Sequence, residues 1–288
     1  MRAIEPATTG YAERDGVKLY WEQFGEGEPT IALLPTWSIA HSRHWKFQVP
    51  YLARHFRVVT FDGRGNGHSG RPADPSAYTD VQFASDTLAV LDATDTQRAV
   101  LLSVSRGAWW ALRVCAEHPD RVQGTVFVGP GVRLTAPLEE RRIQRFNDVI
   151  DQPVGWQKHN AHYWKTNYPD YVSHFIPHVL CEPHSTKPIE DAVGWALETD
   201  GETLVATERG LLDRDAASAV ALASKVRCPA LVIHGVDDAI CSVDNGVALA
   251  TRIAGPLVTL VGAGHWPHVR DPVRVNLLVK EFVDRVGR

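Results

Sequence analysis

Short apolar runs alternate with amphipathic helical patterns along most of the 288-residue chain, and that alternation admits few folds. The runs at 30–34, 57–61, 99–102, 125–128, 230–234 and 258–261 have the length and character of strands buried on both faces. Between them lie helical patterns. Residues 44–55 read as a helix. Val81, Ala84, Leu88 and Leu91 fall on one helical face behind a candidate cap at Asp80. Residues 107–117 read as a helix stopped by Pro119, and a last helix opens with Asp271 as cap and Pro272 in its first turn. Its apolar face is Val275, Leu278, Val279, Phe282 and Val286. At the start, residues 11–24 alternate around Asp15-Gly16, which reads as a hairpin turn. The expectation is a mostly parallel central sheet with helices on both faces.

The rhythm breaks at about residue 132 and resumes at about 207. The expected organisation is one α/β core, 1–131 and 207–288, with a helical cap insertion at 132–206 that is rich in Trp, His and Tyr. An insertion there would lie over the carboxyl ends of the strands, where open α/β sheets bind ligands.

Composition narrows the function classes. A net charge of -4 with no basic block gives no case for nucleic acid or an anionic membrane. The first thirty residues hold no apolar signal-like run, and nothing approaches the roughly 18 apolar residues of a spanning helix. Cys115, Cys181, Cys228 and Cys241 show no CxxC spacing and read as reduced, mostly buried thiols, which points to the cytoplasm.

The segment Leu101-Leu102-Ser103-Val104-Ser105-Arg106-Gly107-Ala108 has the form small-x-Ser-x-small between a strand and a helix. A nucleophile on so sharp a turn has strained backbone angles, and bulky side chains two residues away on either side would clash. Ser105 would then stand at a helix amino end, where backbone N–H groups favour developing negative charge. Alone, the segment fits a helix-capping serine as well.

With its flanking motifs, the chain resembles the α/β-hydrolases along nearly its whole length. Leu231-Val232-Ile233-His234-Gly235-Val236-Asp237-Asp238 matches the family's acid loop, and Gly262-Ala263-Gly264-His265-Trp266 its histidine loop. The resemblance implies Ser105 as nucleophile, His265 as base and Asp238 as acid, with Asp237 as the alternative. A serine hydroxyl needs an adjacent imidazole to take its proton, and the imidazole needs a carboxylate to fix its tautomer. Leu33-Leu34-Pro35-Thr36-Trp37 stands where the family usually has His-Gly, with Pro35 and Thr36 as the departures. In that register the backbone N–H groups of Trp37 and Arg106 form the oxyanion hole. Trp37, Trp164, Trp195 and Trp266 are candidates for the substrate pocket. Trp156, Trp164 and Trp195 suit the insertion's own core equally well. Since all the expected catalytic groups lie outside 132–206, the insertion is expected to set substrate choice and not chemistry.

Two other signals carry less. Gly65-Asn66-Gly67-His68-Ser69-Gly70 matches GxGxxG, but Arg71-Pro72 follows where a dinucleotide site needs a helix. Asp62 to Ser69 is instead similar to a turning and bracing loop of α/β-hydrolases. His159 with His162, and His174 with His178, have metal-compatible spacing, yet no carboxylate or cysteine completes a site. No metal and no cofactor is expected.

The reading reached is a serine hydrolase of a small carboxylic ester or lactone, acting through an acyl-enzyme. Within the same fold, a carbon–carbon bond hydrolase and a cofactor-free peroxidase stay open. So does a ligand-sensing module, because 34–69 resembles α/β-hydrolase domains joined to nucleotide cyclases. The sequence carries no cyclase domain, which favours a stand-alone enzyme. A homodimer is left open.

Overall fold

The chain enters the sheet through a hairpin of β1 (Thr8–Arg14) and β2 (Val17–Phe24), paired antiparallel from Thr8↔Gln23 to Arg14↔Val17. Its turn places Asp15 and Gly16 at φ 51° and 74°, the left-handed region that Asp and Gly tolerate best. The computed structural model describes residues 4–141, 145–183, 185–211 and 215–287. The other strands are β3 (Thr30–Leu33), β4 (Arg57–Phe61), β5 (Ala99–Val104), β6 (Val122–Val128), β7 (Ala230–Gly235) and β8 (Leu257–Leu260). They lie in the order β1-β2-β4-β3-β5-β6-β7-β8, and every pair from β4 to β8 is parallel. All residues of β3, β5 and β7 are buried, as strands covered on both faces must be.

The helices are α1 (Val49–Leu52), α2 (Asp80–Ala93), α3 (Gly107–Glu117), α4 (Ala161–Val179), α5 (Lys187–Ala196), α6 (Gly201–Gly210), α7 (Ala216–Ala223), α8 (Val243–Arg252), α9 (Pro267–Arg270) and α10 (Pro272–Val286). α1 meets α10, while α2 packs on α3, α3 on α7 and α7 on α8. Right-handed crossovers put the first pair and the second group on opposite faces of the sheet. α4, α5 and α6 fall between β6 and β7. α6 runs through the expected boundary at 207, and strand pairing resumes only at Ala230. No helix of the described residues is long and apolar enough to cross a membrane.

Three local expectations need correction. Residues 44–55 are not one helix: a 3-10 turn, Ser42–Trp45, is followed by the single turn of α1. Pro50 has no N–H to continue a ladder, so it can only begin a helix. The cap of α2 is Thr79, whose Oγ1 accepts from the Gln82 N–H at 3.4 Å. Asp80 turns inward instead, and its Oδ1 accepts from Trp110 Nε1 at 2.9 Å. That rotation buries Phe83, Ala84, Thr87, Val90 and Leu91 and leaves Val81 exposed. Asp271 does cap α10, accepting from the Arg274 N–H at 3.3 Å.

The loop after β4 bends tightly around two buried charges. Asp62 accepts the N–H groups of Ser42 at 3.0 Å and His68 at 2.9 Å. Gly67 has φ 53°, and a Cβ there would stand 2.2 Å from Asp62 Oδ2, so only glycine fits. Arg64 and Asp86, both buried, form a two-bond fork with Nε–Oδ2 and Nη2–Oδ1 each at 2.6 Å. Arg14 Nε adds a bond to Asp86 Oδ1 at 2.9 Å. Removing one partner of a buried ion pair strands the other without water. Asp86→Ala should therefore destabilise the fold by about 3–5 kcal/mol. Asp92→Ala, which removes a carboxylate paired with Arg121 at the surface, should cost under about 1 kcal/mol. Urea unfolding of both variants checks the contrast, and equal losses would refute it.

Candidate active site

Strand β5 ends at Val104 and α3 begins at Gly107, so Ser105 must reverse direction in two residues. It does so at φ 53°, a strained value for a residue with a Cβ. The turn is pinned by the Ser105 N–H donating to the Val128 carbonyl at 3.1 Å and by the Gly131 N–H donating to the Ser105 carbonyl at 2.9 Å. A Cβ at Gly107 would stand 2.5 Å from the Pro35 carbonyl oxygen, so that position must be glycine. Ser103, the other small residue, is fully buried and donates through Oγ to the Val126 carbonyl at 3.3 Å.

The loops after β7 and β8 bring Asp238 and His265 to this turn. Ser105 Oγ lies 2.8 Å from His265 Nε2, and His265 Nδ1 lies 2.7 Å from Asp238 Oδ2. All three residues are buried. Asp237 is exposed, and its N–H donates to the Ala263 carbonyl at 3.0 Å. Asp238 is saturated: Oδ1 accepts the N–H groups of Ile240 and Cys241, each at 2.8 Å, and Oδ2 also meets His234 Nε2 at 3.1 Å. Burial alone would raise its carboxyl, but the charge of His265 and the bond from His234 outweigh it and hold the group below the usual carboxylate range. Beyond His265, His268 Nε2 meets His44 Nδ1 at 3.2 Å. Burial, then the like charge of His265, pushes His268 down to about 3, so this imidazole stays neutral at neutral pH.

Neither the Trp37 amide nor the Arg106 amide donates within the turn and loop bonds of the described residues. A Cβ at Gly131 would stand 3.2 Å from the Arg106 nitrogen, so the missing side chain keeps the approach to that amide clear. The Trp37 indole has a cation and an imidazole as close neighbours. The Arg106 guanidinium lies 4.9 Å from its centroid, and His159 stacks at 5.8 Å with an interplanar angle of 29°. Arg106 is itself held by Glu208, with Nη2 2.9 and 2.7 Å from the two carboxylate oxygens. Burial would raise Glu208, but Arg106 and His159 beside it reverse the sign and hold it below the usual range.

A cavity of about 560 Å³ opens onto Ser105. Of the four tryptophans expected in its wall, Trp37 lines it; Trp164, Trp195 and Trp266 do not. Trp164 is fully buried against Trp37, Phe146 and Tyr171. Trp195 packs edge-on to His41 under the Lys46 ammonium, and Trp266 stacks on His44. The aromatic walls found instead are Trp109 and Phe175. His159 bonds Tyr171 Oη at 2.9 Å, whereas His162 faces the Asn147 carbonyl at 3.3 Å, so the two do not share a site. His178 Nδ1 bonds the His174 carbonyl at 2.8 Å. Among the described residues no cluster of three His, Cys, Asp or Glu is disposed to hold a metal ion. Of the cysteines, Cys115 is buried and Cys181 is exposed, against the expectation of mostly buried thiols.

Sequence reasoning missed three polar supports. His234 is the one signal within reach, a histidine in the otherwise apolar run of β7. Glu208 interrupts α6 with no local pattern to mark it. Glu182, inside 132–206, accepts the Gly264 N–H at 2.7 Å and pairs with Arg270 at 3.1 Å. The segment between β6 and β7 thus braces the loop that carries His265, a part the sequence reading did not give it.

The chain is similar to known proteins along most of its length. It is 27% identical to 2-hydroxymuconate semialdehyde hydrolase of Pseudomonas sp. (strain CF600), over 83% of this chain and 81% of that one. It is 21% identical to 3-oxoadipate enol-lactonase 2 of Acinetobacter baylyi, over 93% and 94%. Among solved structures, a thermophilic esterase from Thermogutta terrifontis superposes with a TM-score of 0.81 at 24% identity, covering 98% of this chain and 100% of that one. The family model for the alpha/beta hydrolase fold matches residues 29–272, spanning the serine turn, the acid loop and the histidine loop, and on that match the chain belongs to the α/β-hydrolase family.

Proposed function

We propose that the chain is a serine hydrolase that cleaves a small carboxylic ester or lactone through an acyl-enzyme. The observation that carries this reading is the continuous hydrogen-bonded path from Ser105 Oγ through His265 to Asp238, with steps of 2.8 and 2.7 Å. His265 Nε2 takes the hydroxyl proton as Ser105 Oγ attacks the carbonyl carbon. The Trp37 and Arg106 amides receive the negative charge on the carbonyl oxygen. His265 then returns the proton to the leaving alkoxide, and a water attacks the acyl-enzyme by the same route in reverse. Asp238 holds the Nδ1–H tautomer and supports the imidazolium. The cavity volume, about 560 Å³, suits a small substrate. Residues 132–206 are read as a lid that shapes the cavity and excludes water.

The family supports hydrolysis and leaves the bond open. The enol-lactonase relative favours a lactone. The semialdehyde hydrolase relative favours a second reading, in which the same set cleaves carbon from carbon.

Two substitutions test the proposal. Ser105→Ala should lower turnover of a short-chain nitrophenyl ester by about a million-fold while circular dichroism is unchanged. A variant keeping a tenth of the rate would exclude Ser105 as nucleophile. Asp238→Asn should cost about 10⁴-fold in turnover, because the wrong imidazole tautomer then faces Ser105. Asp237→Asn, at an exposed site, should stay within a few-fold of wild type, roughly the span of an ordinary surface substitution. The reverse ranking would move the acid to Asp237.

A further inference from the structure

The cavity wall carries a charge imbalance that acyl transfer does not require. Its charged lining among the described residues is Arg106, Arg133, Arg141, Glu208 and Asp215. Arg106 and Glu208 neutralise each other at 2.7 Å. Asp215 is exposed, and its Oδ1 is engaged as the α7 cap, accepting the Ser218 N–H at 2.6 Å. Arg141 has no carboxylate partner among the described residues. Its Nη1 donates to the Ile240 carbonyl at 2.7 Å, and its guanidinium lies 4.9 Å from the Trp156 ring centroid. Its Nε–H is buried with no hydrogen-bond partner. A buried donor left unmade costs free energy, and a cation in a cleft with low-dielectric walls attracts an anion. Arg133 brings further positive charge to the same wall.

We propose that Arg141, with Arg133 beside it, binds a carboxylate group carried by the substrate itself. The substrate class is then an ester or lactone of a dicarboxylic or hydroxycarboxylic acid. Its apolar chain lies along Trp37, Trp109 and Phe175, and its second carboxylate lies away from the scissile bond. The guanidinium fork matches a carboxylate in two parallel bonds, which a lysine would not reproduce. This assignment rests on the reading of Ser105 as nucleophile, since it places the anion site in the cavity that opens onto that serine.

The test uses matched pairs on the full chain. On the acyl side, 4-nitrophenyl hydrogen glutarate is compared with 4-nitrophenyl pentanoate; on the alcohol side, 4-acetoxybutanoate with butyl acetate. In at least one pair kcat/KM should favour the anion, and added salt should erode the preference. Arg141→Gln should shrink the anion-to-neutral ratio by roughly 10- to 100-fold, the worth of one charged hydrogen bond to two. Arg141→Lys should restore only part of it. Glutarate binding, read by calorimetry, should weaken in parallel. An unchanged ratio in both Arg141→Gln and Arg133→Gln, or no anion preference in either pair, would overturn the proposal with the hydrolase reading intact. If no ester is turned over and a phosphonate does not label Ser105, the hydrolase reading fails instead. Glutarate binding then decides the anion site: Arg141-dependent binding upholds it, and no binding overturns it.

Discussion

A chain that leaves a parallel strand and starts a helix within two residues must place one residue in a strained conformation, and here that residue is Ser105. The strain persists because the surroundings over-determine it. β5 lies between β3 and β6, the Pro35 carbonyl closes on Gly107, and Gly131 crosses the turn with no side chain to obstruct it. The turn brings Ser105 Oγ within 2.8 Å of His265 Nε2. The sheet order then brings β7 and β8 alongside β6, so the loops at their carboxyl ends reach the turn from one side.

Around that turn, buried charge is arranged in closed sets. Asp238 is matched by two histidines and two backbone amides, and Glu208 by Arg106 with His159 beside it. Each carboxyl is held below its usual range against the pull of burial, so both stay ionised at neutral pH. The sets differ in consequence. The Asp238 set orients an imidazole. The Glu208 set orients a guanidinium that covers one face of Trp37, and so fixes a wall of the cavity.

What was legible in the sequence was whatever is written locally. A strand buried on both faces is a run of neighbours, a hairpin is Asp15-Gly16, and the Ser105 turn is five consecutive residues with small flanks. Ser105, Asp238 and His265 each sit in such a local context, which is why they emerged as candidates; the strand order then puts His265 within hydrogen-bond reach of the other two. What stayed hidden depends on distant partners. Glu208 meets Arg106 across 102 residues and Glu182 meets Gly264 across 82, with no spacing rule linking either pair. Trp164, Trp195 and Trp266 failed as pocket markers for a related reason. Composition shows that an aromatic cluster exists, but which faces it turns inward is set by helix packing. The cap of α2 was a choice between two adjacent good cappers, Thr79 and Asp80, and the indole of Trp110 decided it from another helix.

The contact between Glu182 and the Gly264 amide bears on how this architecture can be recombined. Swapping the segment between β6 and β7 for that of another protein looks like a modular graft, since the sheet would be untouched. The graft would nonetheless remove the carboxylate that holds the histidine loop and leave Arg270, which also bonds the Leu180 and Glu182 carbonyls, facing a gap. A chimera that kept residues 180–182 with the core and exchanged only what surrounds them would preserve that brace. The structural seam of that segment therefore lies inside its chain boundaries, not at them.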